Sequence, residues 1–277
     1  MNWQAWIPVG VVFVEVLALV FVGRLAAQHL LRRNLAAELT TQDNPAAALA
    51  IGGYHLALFL GLAGLLAGES KESLLHEVLV VALHGAILTA CLLLSGFLWR
   101  PALGLSIHEH VCTGRNLAAG LVCGSSLVAT GLIYQGSVQG EGTWLSALVF
   151  FALGQAILVA ASLYYDWVSP VDVQGEVATK ANLAAALGQA GALLATGLVV
   201  GHAVEGDFTT WRESLKDFFL LLVPVLALPL VRWLVARGIL LSFADLDAEI
   251  TRDRNTAAGL LEAVAYVGCA AFYVHMI

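Results

Sequence analysis

Residues 182–204 read NLAAALGQAGALLATGLVVGHAV, a run that contains no Asp, Glu, Lys or Arg. One Asn opens the run, and small residues follow it directly. A stretch of about 20 apolar residues is long enough to cross the hydrocarbon core of a bilayer as an α-helix. The segment therefore predicts a transmembrane helix that begins at Asn182.

Apolar runs of this length recur along the whole chain of 277 residues, which is 60% hydrophobic and only 12% charged. Soluble domains carry about 25% charged residues. We count eight runs, near residues 5–28, 45–68, 78–99, 116–138, 144–167, 182–204, 214–237 and 256–276. The first run has no basic n-region and contains Glu15, which favours a retained span over a signal peptide. The sequence predicts an all-α, polytopic protein of the lipid bilayer with eight transmembrane helices.

The basic residues predict the orientation, because loops on the cytoplasmic side of a membrane are enriched in Lys and Arg. The side on which Asn182 lies carries Arg24, Arg32, Arg33, Arg100, Arg115, Lys180, Arg232, Arg237, Arg252 and Arg254. The other side carries Lys71, Arg212 and Lys216. The ten are therefore expected on the cytoplasmic side, with both termini outside the cytoplasm. The net charge of −7 gives no reason to expect a nucleic-acid partner.

The Asn of the opening run has three counterparts, each before small residues and an apolar run. The four are Asn44, Asn116, Asn182 and Asn255, which lie 72, 66 and 73 residues apart. A period near 70 residues predicts a unit of two spans and a linker, used four times. Because every copy starts on the same side, the units are parallel. The halves 1–140 and 141–277 then each contain four helices.

The pattern extends upstream of each Asn into the linkers. Six residues before each Asn stand Glu38, His110, Glu176 and Glu249, and these are followed by Leu39, Val111, Val177 and Ile250. Apolar residues every four positions, as at Leu31, Leu35 and Leu39, indicate one face of a helix. We expect amphipathic linker helices at the cytoplasmic interface.

The four asparagines have two interpretations. Asn is a favoured N-cap, because its side-chain oxygen accepts from amides two or three residues later, and a cap alone makes Asn182→Ala cost about 1 kcal/mol. In that case Asn182→Asp is mild. In the alternative, the four side chains ring a vestibule and contact an ion or substrate.

The recurring Asn-x-Ala-Ala start in paired spans resembles a bacterial inner-membrane family, the domain of unknown function 350 of the YjfL type. The resemblance covers most of the chain and implies an apparent duplication. It implies a membrane partner of peptide-ligase-like and polyamine-synthase-like enzymes, and a channel or transport role. It supplies no catalytic residues.

Polar residues inside the spans are the candidates for a transport path, since such residues usually face protein or water. They are Glu15, His55, His84, Gln155, Gln189 and Glu262. A lone His also serves as a packing residue, and Gln also joins helices by hydrogen bonds. The two Glu are the hardest to explain as structural residues, because a carboxylate in hydrocarbon needs compensation.

The sequence suggests only histidines as partners for these carboxylates. No Lys or Arg is expected at matching depth, so His55 or His84 is the candidate. We expect Arg232 and Arg24 to mark the interface by extending their side chains toward water. Pro224 and Pro229 are expected to interrupt span 7.

Two functional classes remain open. The chain lacks HExxH, GxxxxGK[ST] and GxSxG, so we expect no enzyme, no cofactor and no metal site. The first class is a channel or transporter for ions or a small solute. The second is a scaffold whose linkers bind a soluble cytoplasmic partner. Either could form a homo-oligomer. A cavity that reaches Glu15 or Glu262 would favour transport, and a solid bundle would favour the scaffold.

Overall fold

The computed structural model describes residues 6–31, 33–66, 73–242 and 245–277. Arg32 and Lys71, two of the basic residues that predict the orientation, lie outside the described residues. The side chains of Leu31 and Arg100 lie outside them as well. Within the described residues every regular element is helical.

Eight helices are long and apolar enough to cross a membrane, which confirms the predicted number of spans. We label them α1 to α8. Their bounds are Trp6–Leu31, Pro45–Ala63, Leu74–Leu103, Leu117–Ser137, Trp144–Val168, Leu183–Val204, Trp211–Leu240 and Thr256–Met276. The helix α2 continues into a 3-10 turn, Gly64–Leu66.

Four short helices precede the even-numbered helices, and we call them linker helices 1 to 4. Linker helices 1, 3 and 4 are α-helical over Leu35–Thr40, Val173–Ala178 and Leu246–Thr251. Linker helix 2 is a π-helix over Ile107–Thr113. The end of the bundle where they lie is called the asparagine end below.

The even-numbered helices α2, α4, α6 and α8 pack side by side in that order and form the centre of the bundle. Small residues allow the close approach. A Cβ atom at Gly120 would overlap the backbone of Ala46, and one at Gly131 would overlap that of Ala57. Because these contacts advance toward the C-terminus in both helices, α2 and α4 run in the same direction.

The odd-numbered helices pack around this central row. For example, α1 packs on α3, and α5 packs on α6 and α4. The helix α7 is irregular: it passes from the α-helix Trp211–Leu221 into a 3-10 segment, Val223–Ala227, and ends as a π-helix, Arg232–Leu240. Pro224 and Pro229 lie in this stretch, where the sequence predicted an interruption, because proline removes a backbone donor.

Candidate functional site

Each of the four repeated asparagines lies at the N-cap of an even-numbered helix. The side-chain Oδ1 of Asn44 accepts from the amide of Ala47 at 3.1 Å, and that of Asn116 from Ala119 at 3.0 Å. Asn182 and Asn255 each accept from two amides, the nearer at 3.0 Å. These bonds satisfy helix-start amides that would otherwise lose water without gaining a partner.

A left-handed residue precedes every one of these asparagines. The φ angles of Asp43, Arg115, Ala181 and Arg254 lie between 47° and 50°. This conformation costs a non-glycine residue about 1–2 kcal/mol. It turns the chain so that the Asn amide donates to the carbonyl six residues earlier, for example from Asn182 to Glu176 at 2.8 Å.

The side-chain Nδ2 atoms make a second set of bonds that joins neighbouring parts of the chain. Asn44 donates to the carbonyl of Val111 at 3.1 Å, and Asn116 to that of Val177 at 2.8 Å. Asn182 continues the series by donating to Ile250 at 2.8 Å. Each of these three asparagines therefore ties the start of one even-numbered helix to the next linker helix.

The glutamates upstream of the asparagines complete this arrangement. Nδ2 of Asn44, Asn182 and Asn255 also donates to Glu38, Glu176 and Glu249, at 3.2, 2.8 and 2.7 Å. Burial raises the pKa of the Glu176 carboxyl, but hydrogen bonds from Asn182 and Lys180 outweigh burial and hold that pKa below its ordinary value. In the second linker His110 takes the place of the glutamate.

An ion cluster lies inside the bundle near the asparagine end. Glu262 is fully buried, and its Oε1 accepts from Nε of Arg232 at 2.8 Å. Arg232 also forms an ion pair with Asp247 of linker helix 4, at 2.7 Å. The hydroxyls of Tyr165 and Tyr266 each donate to Glu262 Oε1 at 3.1 Å. The cluster thus joins α5, α7, α8 and linker helix 4.

This cluster corrects two expectations. An arginine does lie at the depth of Glu262, and Arg232 does not extend to the interface: only 15% of its side chain is exposed. The interruption of α7 places Arg232 at the start of the π-helical segment. Glu262 lies seven residues after Asn255, about 10 Å from the start of α8.

The expected histidine partners of Glu15 bond elsewhere. Both carboxylate oxygens of Glu15 are inaccessible to solvent and have no hydrogen-bond partner among the described residues. The Nδ1 of His55 lies 2.7 Å from the carbonyl of Ile51. The Nδ1 of His84 lies 2.8 Å from the hydroxyl of Tyr134. The expectation of a Glu15–His pair was therefore wrong.

The two glutamines each keep one polar atom without a partner. Thr130 donates to Oε1 of Gln155 at 3.2 Å, which joins α4 to α5. The Nε2 of Gln155 and the Oε1 of Gln189 are buried and have no hydrogen-bond partner among the described residues. Both side chains lie near the central row of helices.

One cavity, which we call the loop cavity, opens at the end of the bundle opposite to the asparagines. Its volume is about 280 Å³. His84 lines it and stacks on Trp144, with ring centroids 4.8 Å apart. The loops 138–143 and 204–209 supply most of its wall. Its acidic lining residues are Glu141, Glu205, Asp207 and Asp217.

A second cavity, which we call the linker cavity, lies toward the asparagine end and has a volume of about 310 Å³. Its lining is mainly apolar, with Tyr54, His55, Ser106 and His108 as polar groups. His55 and His84 thus line cavities. Glu15, Gln155, Gln189 and Glu262 are not among the described residues that line either one, so neither cavity meets the expectation of a cavity that reaches Glu15 or Glu262.

Comparison with known families adds a duplication to this geometry. The family model described as Domain of Unknown Function (DUF350) matches residues 1–138 and again residues 141–277. The chain belongs to the DUF350 family. No curated protein and no solved structure matches it.

The two DUF350 copies place different side chains at the site that holds the ion cluster in the second copy. Counted from the matched asparagines, Tyr165, Arg232, Asp247 and Tyr266 of the ion cluster correspond to Ala27, Leu93, His108 and Leu127. All four of these counterparts line the linker cavity. At this site the second DUF350 copy has charged and aromatic side chains, whereas the first copy has the linker cavity. Sequence reasoning missed this relation because it aligned the asparagines without extending the alignment to the odd-numbered helices.

Proposed function

We propose that the protein moves a cation or a small cationic solute across the bacterial inner membrane along a path that joins the loop cavity and the linker cavity. In this proposal the chain consists of four parallel two-helix units joined by amphipathic linkers. The asparagine end faces the cytoplasm and both termini face outward. No catalytic step and no cofactor is involved.

The distribution of basic residues supports this orientation. Arg33, Arg115, Lys180, Arg252 and Arg254 all lie in or beside the linkers of the asparagine end. Arg212 and Lys216 begin α7 at the opposite end. Loops rich in Lys and Arg remain in the cytoplasm when a membrane protein is inserted.

The observation that carries the transport proposal is the pair of cavities. The loop cavity and the linker cavity approach each other from opposite ends, and α3 and α4 line both. On α3, His84 lines the loop cavity and Leu92 lines the linker cavity. These two residues are about 12 Å apart along the helix axis. On α4, Ser137 lines the loop cavity and Leu127 lines the linker cavity. They are about 15 Å apart along the helix axis.

An apolar barrier of buried side chains separates the two cavities. Leu58 and Leu88 are fully buried, and Tyr134 is 4% exposed. Tyr134 bonds to His84, so one wall of the loop cavity is tied to the barrier. A transporter needs such a barrier to prevent a continuous leak, and a short movement of packed helices can open it.

The charge of the loop cavity favours a cation. Four carboxylates line it, and the described lining contains neither Lys nor Arg. A cleft with charges of one sign raises the local concentration of the opposite ion. The linker cavity adds aromatic and imidazole groups to a mainly apolar wall, which suits a cation with a small apolar body.

The test is cation flux into liposomes that contain the purified protein, with empty liposomes as the blank. Asp217→Asn removes a charge from the loop cavity and should lower flux about two- to three-fold at low salt, with less effect at high salt. Glu213→Gln is the matched control, because Glu213 lies on the same helix but outside the cavity lining. Equal flux in the two variants, or no flux above the blank, contradicts the proposal.

A membrane scaffold is the second candidate. The region after linker helix 4 supports it, because Arg252 and Asp253 are exposed and pair with each other through two hydrogen bonds. Such a charged surface could bind a soluble cytoplasmic partner. Absence of flux in the liposome assay would favour this candidate.

A further inference from the structure

The central row of helices begins with α2 and ends with α8. Each of these two helices has one face without a neighbouring even-numbered helix among the described residues. Between α2 and α4, Gly53 faces Gly124, and between α6 and α8 the corresponding Gly191 faces Ala263. The contacts of Gly120 with Ala46 are likewise repeated by Gly259 with Ala184. One face of each even-numbered helix therefore receives the next one, in a repeated register.

On α8, the face that would contact the next helix in the row has no neighbouring helix among the described residues. Its positions equivalent to Ala46, Gly53 and Ala57 are Ala257, Val264 and Gly268. All three are exposed, and no atom of the described part of the chain lies within 4 Å of a Cβ placed on Gly268. Asn255 is exposed too, whereas Asn44, Asn116 and Asn182 are 1%, 9% and 1% exposed.

The opposite face of α2 is bare in the same way. Its positions equivalent to Gly120, Gly124 and Gly131 are Ala48, Gly52 and Phe59, and all are exposed. No atom of the described residues lies within 4 Å of a Cβ placed on Gly52.

Leu39 of linker helix 1, beside this face, is also exposed. Leu39 is 37% exposed, while the equivalent Val111, Val177 and Ile250, whose carbonyls accept from asparagines, are 1–2% exposed. One end of the row thus offers an Asn donor, and the other end offers the matching carbonyl.

We infer that copies of this chain associate head to tail, with α8 and Asn255 of one copy against α2 and linker helix 1 of the next. The sizes of the facing residues are complementary in the register seen inside the chain. Val264 would face Gly52, Phe59 would face Gly268, and Ala257 would face Ala48. The Asn255 Nδ2 would donate to the carbonyl of Leu39 in the next copy.

The occupant of these faces is a second copy, because the interface continues the three contacts already present within one chain. All copies keep the same orientation in the membrane, since the helices in contact are parallel. A head-to-tail contact closes into a ring when its rotation permits. The inference stands apart from the transport proposal, because it concerns the lipid-facing ends of the row.

Cysteine cross-linking tests the predicted register. In a background without Cys91, Cys112, Cys123 and Cys269, the double variant Ala48→Cys/Ala257→Cys should form a ladder of linked chains in the membrane. When the single variants Ala48→Cys and Ala257→Cys are co-expressed, each disulfide should join one chain of each variant. Only dimers should then form. The control pair Ala48→Cys/Ile239→Cys, which also uses an exposed site at the asparagine end, should give no ladder. Linked Ala48→Cys homodimers or no ladder would overturn the inference.

Glycine substitutions test the contact independently of disulfide chemistry. Gly52→Leu and Gly268→Leu fill open space within one chain, so each should fold and yet reduce the oligomer to single chains in lipid nanodiscs, as read by native mass spectrometry. Gly10→Leu is the matched control, because it also has no atom within 4 Å of its Cβ position but lies on α1, and it should keep the wild-type mass. A wild-type mass of one chain, or an unchanged oligomer in both test variants, would overturn the inference.

Discussion

Arg232 and Glu262 face each other inside the bundle, with Nε donating to Oε1 over 2.8 Å. The carboxylate is fully buried, and 15% of the arginine side chain is exposed. Two tyrosine hydroxyls also donate to Oε1, while the buried Oε2 has no hydrogen-bond partner among the described residues. The pair therefore fixes the packing of α7 on α8 at a site where neither charge alone would be tolerated.

Removing the arginine should be far more damaging than removing both charges. Arg232→Met leaves Glu262 buried without its ion-pair partner, and we expect a loss of about 3–5 kcal/mol of stability. The double variant Arg232→Met/Glu262→Gln should recover most of that loss. Thermal unfolding in detergent measures both. A double variant less stable than Arg232→Met would show that the pair does not act as described.

The four asparagines should differ in importance according to their second bonds. Asn182→Ala removes a cap and leaves the Ile250 carbonyl and Oε2 of Glu176 without the Nδ2 donor, so we expect a loss of about 2–4 kcal/mol. Asn255→Ala removes an exposed cap and should cost about 1 kcal/mol. Asn182→Asp should also destabilise, since it keeps the cap acceptor but lacks the Nδ2 donor. Equal losses at Asn182 and Asn255 in monomeric detergent preparations would refute this ranking.

The buried Glu176 should make the protein sensitive to acid. Because its pKa is lower in the folded protein than its ordinary value of 4.5, its stabilising effect is complete above about pH 4.5. That effect is lost as the pH falls from there through the lowered pKa. Glu176→Gln should therefore reduce the loss of stability below pH 4.5, and Lys180→Met should reduce it in part. Unfolding curves of the two variants that match the wild-type pH dependence would contradict this assignment.

Close helix packing predicts a contrast between two glycines. A Cβ at Gly197 would overlap the backbone of Ala129, so Gly197→Leu should separate α6 from α4 and cost about 1–3 kcal/mol or more. Gly10→Leu adds the same side chain where no atom lies within 4 Å and should leave the melting temperature unchanged or raise it. A similar loss in both variants would contradict the packing explanation.

The sequence was sufficient for the eight helices, because each has its own apolar run of spanning length. It also located the helix starts, since Asn before small residues is a local signal. The Nδ2 bonds to Val111, Val177 and Ile250 were not predictable in this way. They depend on which linker packs beside which helix, and that is set by tertiary packing.

The site was harder to predict than the fold. Arg232 was assigned to the interface because it lies close to residue 237, the predicted end of the seventh apolar run, whereas α7 continues as a π-helix to Leu240. The two cavities also left no trace in the sequence. The linker cavity lies where small Ala27 occupies the position that Tyr165 fills in the other half.

The most direct test of the transport proposal is the barrier between the two cavities. Leu88 and Leu158 are both fully buried leucines, but of these two only Leu88 belongs to the proposed barrier between the cavities. Both Leu→Ala changes should cost about 2–5 kcal/mol of stability. In liposomes, Leu88→Ala should raise cation flux several-fold above wild type, and Leu158→Ala should not. Flux of Leu88→Ala equal to that of Leu158→Ala, or equal to empty liposomes, would contradict the account.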